Sequence, residues 1–222
     1  LDDIKFVSLP IIRFIASLIS AIIFIYLSNF YISSTSIPLL KIFLNYSIFA
    51  IAFTVFAYSG VINSFNFIDG LNGTTIILSI TILFVLYFIS NEMHDTRILE
   101  INLILSSVLL GIILFNFPFP KIFLGDSGAY LLGHFLFWLS ILISEINSEI
   151  SQWSILLFFI YPVTETVLSI IRRLISKSSI YMPDRKHIHT LVFDRVISQN
   201  FRKFNLNTKN NLASLFVLCI ST

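Results

Sequence analysis

Charge is scarce in this chain. Asp, Glu, Lys and Arg make up 12% of its 222 residues, whereas hydrophobic residues make up 56% and the mean hydropathy is +0.91. A soluble domain carries roughly 25% charged residues. So little charge cannot cover the surface of a water-soluble globule, and the chain is far too apolar for disorder. Cysteine is almost missing: Cys219 alone excludes an internal disulfide and a thiolate metal cluster. The net charge of +2 is too small to argue for nucleic acid as a partner. No internal repeat and no low-complexity linker divides the chain, and no signal peptide is visible. The sequence begins at Leu1 rather than Met and stops at Thr222, partway through an apolar run that opens near Leu212. It reads as a segment of a longer protein, missing N-terminal helices and cut within its last span.

What is present is a series of long apolar runs joined by short polar clusters. The reading is an all-α, multipass transmembrane bundle forming a single domain over residues 1–222. A membrane helix needs about 20 mostly apolar residues. Spans are predicted at Leu9–Tyr31, Pro38–Val61, Thr74–Ile89, Leu99–Phe117, Ala129–Ile143 and Trp153–Ile171, six in all, with a partial seventh from Leu212. The loops then alternate between two sides. Of the 14 Lys and Arg, all but Lys41 and Arg97 fall on the side that holds Asp2, Asn63–Gly73, Pro118–Gly128 and Arg172–Asn211. Cytoplasmic loops carry the Lys/Arg excess, so that side is predicted to be cytoplasmic.

Four polar clusters gather on that one side. In NSFNFIDGLNG, Asn63, Asn66 and Asp69 recur every third residue and would share one arc of a helix, with Gly70 and Gly73 following. Carboxylate and amide oxygens there suit Mg²⁺ and phosphate oxygens; the plainer alternative is a helix end with polar capping. In KIFLGDSG, Asp126 sits between glycines just before an apolar run, as a cap or a metal ligand. Phe123 offers a face on which a flat ring can stack. Asp2 and Asp3 form a carboxylate pair, a solvated loop or a candidate base. In DRKHIH, Arg185, Lys186, His187 and His189 suit an anionic diphosphate, or simply form a positive loop. His134 and Glu165 lie inside apolar spans, where an ionisable residue needs an interior partner. Both are read as interior polar contacts, and Pro162 is expected to kink the helix that carries Glu165.

In this order the clusters resemble the polyprenyl-phosphate N-acetylhexosamine-1-phosphate transferases, the MraY/WecA/TagO family (glycosyltransferase family 4). The stretches that carry the resemblance are LDDIK, NSFNFIDGLNG, FPKIFLGDSGAYLLG, YPVTETVLSIIRR and DRKHIHTL, spanning Asp2 to about Leu191. The DRKHIH form differs from the triple-histidine loop of the peptidoglycan branch and looks more like the WecA/TagO branch, which makes lipid-linked sugars for surface polysaccharides.

The resemblance implies a multipass enzyme of the inner (plasma) membrane with a cytoplasmic active site. Its reaction would be attack of a polyprenyl (undecaprenyl) phosphate oxygen on the β-phosphorus of a UDP-N-acetylhexosamine, UDP-GlcNAc foremost. UMP would leave, with Mg²⁺ required and Mn²⁺ able to replace it. The partners implied are the nucleotide sugar, the lipid phosphate and membrane lipid; a homodimer is compatible with it. Residue by residue, Asp126 matches the metal-binding aspartate and Asn66 the asparagine that assists the metal or diphosphate. Asp69 matches an acid of the active-site motif, with Asn63 opening the same motif. Asp2 and Asp3 match the pair from which the base is drawn, and Phe123 a residue that stacks on uracil. Arg185, His187 and His189 match the loop that faces the diphosphate and sugar. Two positions depart from the pattern. Asn72 stands where many members have Asp, at a place expected to contact uracil, and Thr190 stands where many have another His. The competing classes are a transporter, which would put polar residues at mid-membrane depth, and a family member that binds nucleotide without turnover.

Overall fold

A computed structural model of the chain describes residues 10–33, 35, 37–147, 150–151, 154, 156–175 and 187–221. Asp2, Asp3 and Arg185 of the predicted site lie outside the described residues. The described residues form helices and no strands: α1 Pro10–Ser28, α2 Pro38–Leu44, α3 Ser47–Ile68, α4 Thr74–Glu92, α5 Thr96–Asn116, α6 Gly125–Ile146 and α7 Ile160–Ile175. After these come α8 Ile188–Leu191, a π-helical stretch Val192–Ile197, α9 Ser198–Asn200 and α10 Leu206–Ser221.

The helix ends follow local chemistry. Pro38 opens α2, where a missing N–H costs nothing. Asp95 caps α5, its carboxylate accepting from the backbone N–H of Arg97 and Ile98 at 3.0 and 3.1 Å. Helix α3 is the hub: it packs on α1, α6 and α7, while α4 pairs with α5. A hub must be apolar on several sides, and α3 buries Thr54, Tyr58, Val61, Ile62, Phe65 and Ile68. At the α3–α6 crossing, a Cβ on Gly133 would come 3.0 Å from the Ile62 Cα, so a glycine lets the two backbones touch. The outer faces are apolar too. Ile19, Ile22, Ile23, Tyr26 and Leu27 of α1 are exposed, as are Leu103, Ile104, Val108, Leu110 and Leu114 of α5. Such broad apolar faces suit lipid.

The all-α bundle expected from the sequence forms, with some of the expected span bounds shifted. Among the described residues five helices are long and apolar enough to cross a membrane: α1, α3, α4, α5 and α6. The run predicted as Pro38–Val61 is broken at Asn45 and Tyr46, close to the polar Lys41 and Asn45, and its second part continues to Ile68. The run predicted as Trp153–Ile171 contains a 3₁₀ turn at Leu157–Phe159 and then α7, of only 16 residues. Pro162 lies in the first turn of α7, directly after the 3₁₀ turn. Helix α10 likewise has 16 residues and starts at Leu206, ahead of the expected Leu212.

Candidate active site

The polar clusters converge at one end of the bundle, where α1, α4, α6 and α10 begin, α3 and α5 end, and the first half of α7 passes. Asp126 stands in the first turn of α6. It does not cap that helix: the N-cap is Leu124, with no side-chain cap hydrogen bond. Its carboxylate instead holds two other helices. Arg13 of α1 forms an ion pair with Oδ2. Asn66 of α3 donates from Nδ2 to Oδ1 at 2.9 Å. The carboxylate is still 42% exposed, open to a ligand from outside.

Asp69 follows α3 directly and occupies its C-cap position. Burial raises its carboxyl above the usual carboxylate range; a hydrogen bond with Thr75 lowers it, and the negative charge of Asp126 raises it again. The two acids therefore sense each other across the site. The third member of the predicted arc goes elsewhere. Asn63 donates to Ser17 Oγ at 2.9 Å and to the Ser59 carbonyl at 2.8 Å, tying α3 to α1 one turn below Asp126's partners.

The loop that follows α3 is a junction. The backbone N–H of Asn72 donates to Asn210 Oδ1 of α10 at 2.9 Å, and Asn72 is only 8% exposed. Thr74 and Ser214 share a hydrogen bond of 2.8 Å, and Asn211 donates to the Pro118 carbonyl at 2.7 Å. Phe123, in the loop before α6, is 69% exposed and free to stack.

The histidine cluster reaches the same place. Gly70 lies against the ring of His189, and a Cβ there would collide with His189 Nε2. His189 stacks on His187 with centroids 5.3 Å apart and planes 5° from parallel, and Phe67 of α3 covers His187 at 6.0 Å. Both histidines are buried. Burial, reinforced by the neighbouring His187 and opposed by Glu165, pushes the His189 imidazole down to about 4. His189 is thus a neutral, buried ring wedged between Gly70 and His187.

Two partners of these clusters did not emerge from the sequence as site residues. Arg13 entered only as one cation of the Lys/Arg-rich side, although a cation within an apolar run already signals a hidden partner. Glu165, read as an interior contact, proves to be fully buried and bonded to His187 Nδ1 at 3.0 Å. His134 has the interior contacts expected of it: Tyr58 Oη at 2.5 Å and Ser20 Oγ at 3.3 Å from its Nδ1. A cleft of about 440 Å³, lined by Arg13, Ser17, Ser127, Tyr130 and His134, opens beside Asp126 between α1 and α6. A second of about 650 Å³ shares Ala16, Ser20 and His134 and reaches Leu27 and Trp138.

Among the described residues no group of three or more His, Cys, Asp or Glu forms a ready-made metal cage. The oxygen set of Asp126 and Asp69, with Asn66 after a half-turn of its amide, fits a hard cation that completes its shell with water and substrate phosphate. Two interacting carboxylates, one raised chiefly by burial and further by the charge of the other, are also a charge arrangement that a divalent cation relieves.

The sequence profile of "Glycosyl transferase family 4" matches residues 1–144, which include Asn66, Asp69 and Asp126. The chain is 34% identical over 139 residues to the probable undecaprenyl-phosphate N-acetylglucosaminyl 1-phosphate transferase of Bacillus subtilis, covering 61% of this chain and 38% of the relative. It is 36% identical over 147 residues to the undecaprenyl-phosphate alpha-N-acetylglucosaminyl 1-phosphate transferase of Thermotoga maritima, covering 66% and 44%. It is 30% identical over 183 residues to a phospho-N-acetylmuramoyl-pentapeptide-transferase of Staphylococcus epidermidis, covering 80% and 56%. The chain thus spans about half the length of the curated relatives it matches.

Proposed function

Because the chain belongs to glycosyl transferase family 4, we propose that the protein transfers an N-acetylhexosamine 1-phosphate from a UDP-sugar to a polyprenyl phosphate within the plasma membrane. UDP-GlcNAc is the proposed donor and undecaprenyl phosphate the proposed acceptor; the relatives' names carry N-acetylglucosaminyl 1-phosphate and undecaprenyl phosphate. The observation that carries the reading is the convergence of Asp126, Asn66 and Asp69 at one end of an apolar bundle, in the family-matched part of the chain.

Phosphoryl transfer asks a protein mainly for positioning and for neutralisation of charge. Asp126, Asp69 and Asn66 would hold Mg²⁺, which would supply Lewis-acid neutralisation of the diphosphate. Asp126 and Asp69 set the charge of the site, and Asn66 orients the Asp126 carboxylate. Arg13 places a guanidinium next to Asp126, within reach of an anion that displaces the carboxylate. His187 faces the diphosphate, exposed Phe123 stacks on the uracil, and the loop bearing Asn72 sits beside it. Asp2 or Asp3 takes the proton of the lipid phosphate. The apolar cleft between α1 and α6 gives a prenyl chain a track into the membrane. The site end is cytoplasmic, by the Lys/Arg excess on that side.

Full-length protein, given a panel of UDP-N-acetylhexosamines, undecaprenyl phosphate and Mg²⁺, is expected to release UMP only with both substrates present and to stop when the metal is chelated. A transporter or an inactive nucleotide-binding protein releases none.

A further inference from the structure

Glu165 is the most deeply buried acid among the described residues, with 0% of its surface exposed. Its carboxylate is used asymmetrically. Oε1 accepts both the His187 Nδ1 hydrogen, at 3.0 Å, and the backbone N–H of Ile188, at 2.7 Å. Oε2 has no hydrogen-bond partner among the described residues, nor has the nearby Tyr161 hydroxyl. Burying a carboxylate with one oxygen unpaired is costly, and its other oxygen is the acceptor for two buried donors of the histidine loop. What it touches is the loop that brings His187 and His189 under Gly70 and Phe67.

We infer that Glu165 is the positioning residue of the donor-diphosphate site. It holds the hydrogen of His187 on Nδ1 and fixes the start of α8, so that Nε2 of His187 is the nitrogen presented to the diphosphate of the nucleotide sugar. This rests on the transferase reading above. A carboxylate bonded to one ring nitrogen sets both the tautomer and the angle of the ring, which leaves the opposite nitrogen with a defined role. The stack of His187 on His189, itself wedged against Gly70, removes the remaining freedom of the ring. Helix α7 and the histidine loop lie beyond the 1–144 stretch matched by the family profile. Glu165 thus links that later part of the chain to the site built by α3 and α6.

A double-mutant cycle in the full-length protein tests this. Glu165→Gln keeps an oxygen able to accept both bonds and should cost less than about 5-fold in kcat/KM for the UDP-sugar. Glu165→Leu removes both acceptors and should cost about 10- to 100-fold, as loss of a ligand-orienting partner commonly does. In a His187→Ala background the same Glu165→Leu change should cost no more than about 2-fold, because the residue it acts through is gone. Equal loss in Glu165→Gln and Glu165→Leu would make Glu165 a charge or proton site and overturn the inference. So would a full Glu165→Leu loss persisting without His187. Should Glu165→Leu fail to fold, His187→Asn and His187→Gln give the answer. Asn keeps a donor near Nδ1 and should lose activity while folding normally; Gln places its amide near Nε2 and should retain more. The reverse order overturns the assignment of the two nitrogens. If the wild-type protein turns over no UDP-sugar at all, the transferase reading fails by itself. The cycle is then read in UDP binding affinity, and Glu165→Leu weakening UDP binding equally with and without His187 overturns the inference there too.

Discussion

Asn66 on α3 donates a hydrogen bond of 2.9 Å to Asp126 on α6, joining two motifs 60 residues apart in the chain. Arg13 of α1 takes the other carboxylate oxygen. One acid thereby gathers three helices at the polar end of the bundle. Asp126→Asn keeps the shape and loses the charge. It should insert in the membrane normally and lose at least about 100-fold in turnover, since a ligand to the proposed cation would matter at least as much as its supporting shell. Wild-type turnover of that variant at ordinary Mg²⁺ would remove Asp126 from the metal site.

The motifs themselves were legible because polar residues with a period of three stand out in an apolar background. Asn66 and Asp69 were found that way, Asp126 by the glycines around it, and the structure groups them. The pairings were not legible. Arg13 meets Asp126 and Glu165 meets His187 only because of how the helices pack, and a periodicity carries no information about a neighbour on another helix. The same limit explains Asn63. Its spacing put it on the arc, but Ser17 of α1 lies nearer to hand and takes its amide. Span boundaries failed for a different reason. Hydropathy sums over a window, so it passed over the break at Asn45 and Tyr46 and the 3₁₀ turn at Leu157–Phe159.

Gly70 touches the His189 ring with no room for a side chain. Gly70→Ala should therefore push His189 away, destabilise the protein by about 1–3 kcal/mol as overpacking does, and raise KM for the UDP-sugar. Replacing His189 with Ala in the same protein should restore much of the stability. A Gly70→Ala protein with unchanged melting temperature and KM would show that the ring and the loop are not in contact.

His189 titrates at about 4 in the fold against an ordinary 6.5. Below 6.5 the unfolded chain takes up a proton there that the folded chain refuses until about 4. Stability is therefore complete above 6.5 and falls as the pH drops toward 4, by up to roughly 3 kcal/mol for a shift of this size. The melting temperature of His189→Gln should lose that part of its pH dependence. A variant whose melting curve follows wild type across the same window would place the titration on another group.

The proposed mechanism needs the ends carrying Asp126, His187 and Asn210 to face the cytoplasm, where UDP-sugars are found. In full-length protein with Cys219 replaced by Ser, a cysteine at Ser127 or Asn205 should react with an impermeant thiol reagent only in inverted vesicles. A cysteine at His94, just past α4, or at Asn147, just past α6, should react only in intact cells. Ser127 and Asn205 reporting opposite sides would separate α6 from α10 and dissolve the site.

The fate of the donor's β-phosphorus tests the central claim most directly. Full-length protein is given UDP-GlcNAc labelled with ³²P at the β position, undecaprenyl phosphate and Mg²⁺. Sugar-1-phosphate transfer predicts label in the lipid fraction and UMP as the nucleotide product, in equal amounts, with both lost in Asp126→Asn. Label retained in released UDP would mean that the sugar left without its phosphate, and no label in lipid with any UDP-N-acetylhexosamine would mean no transfer at all. Either result would contradict the account.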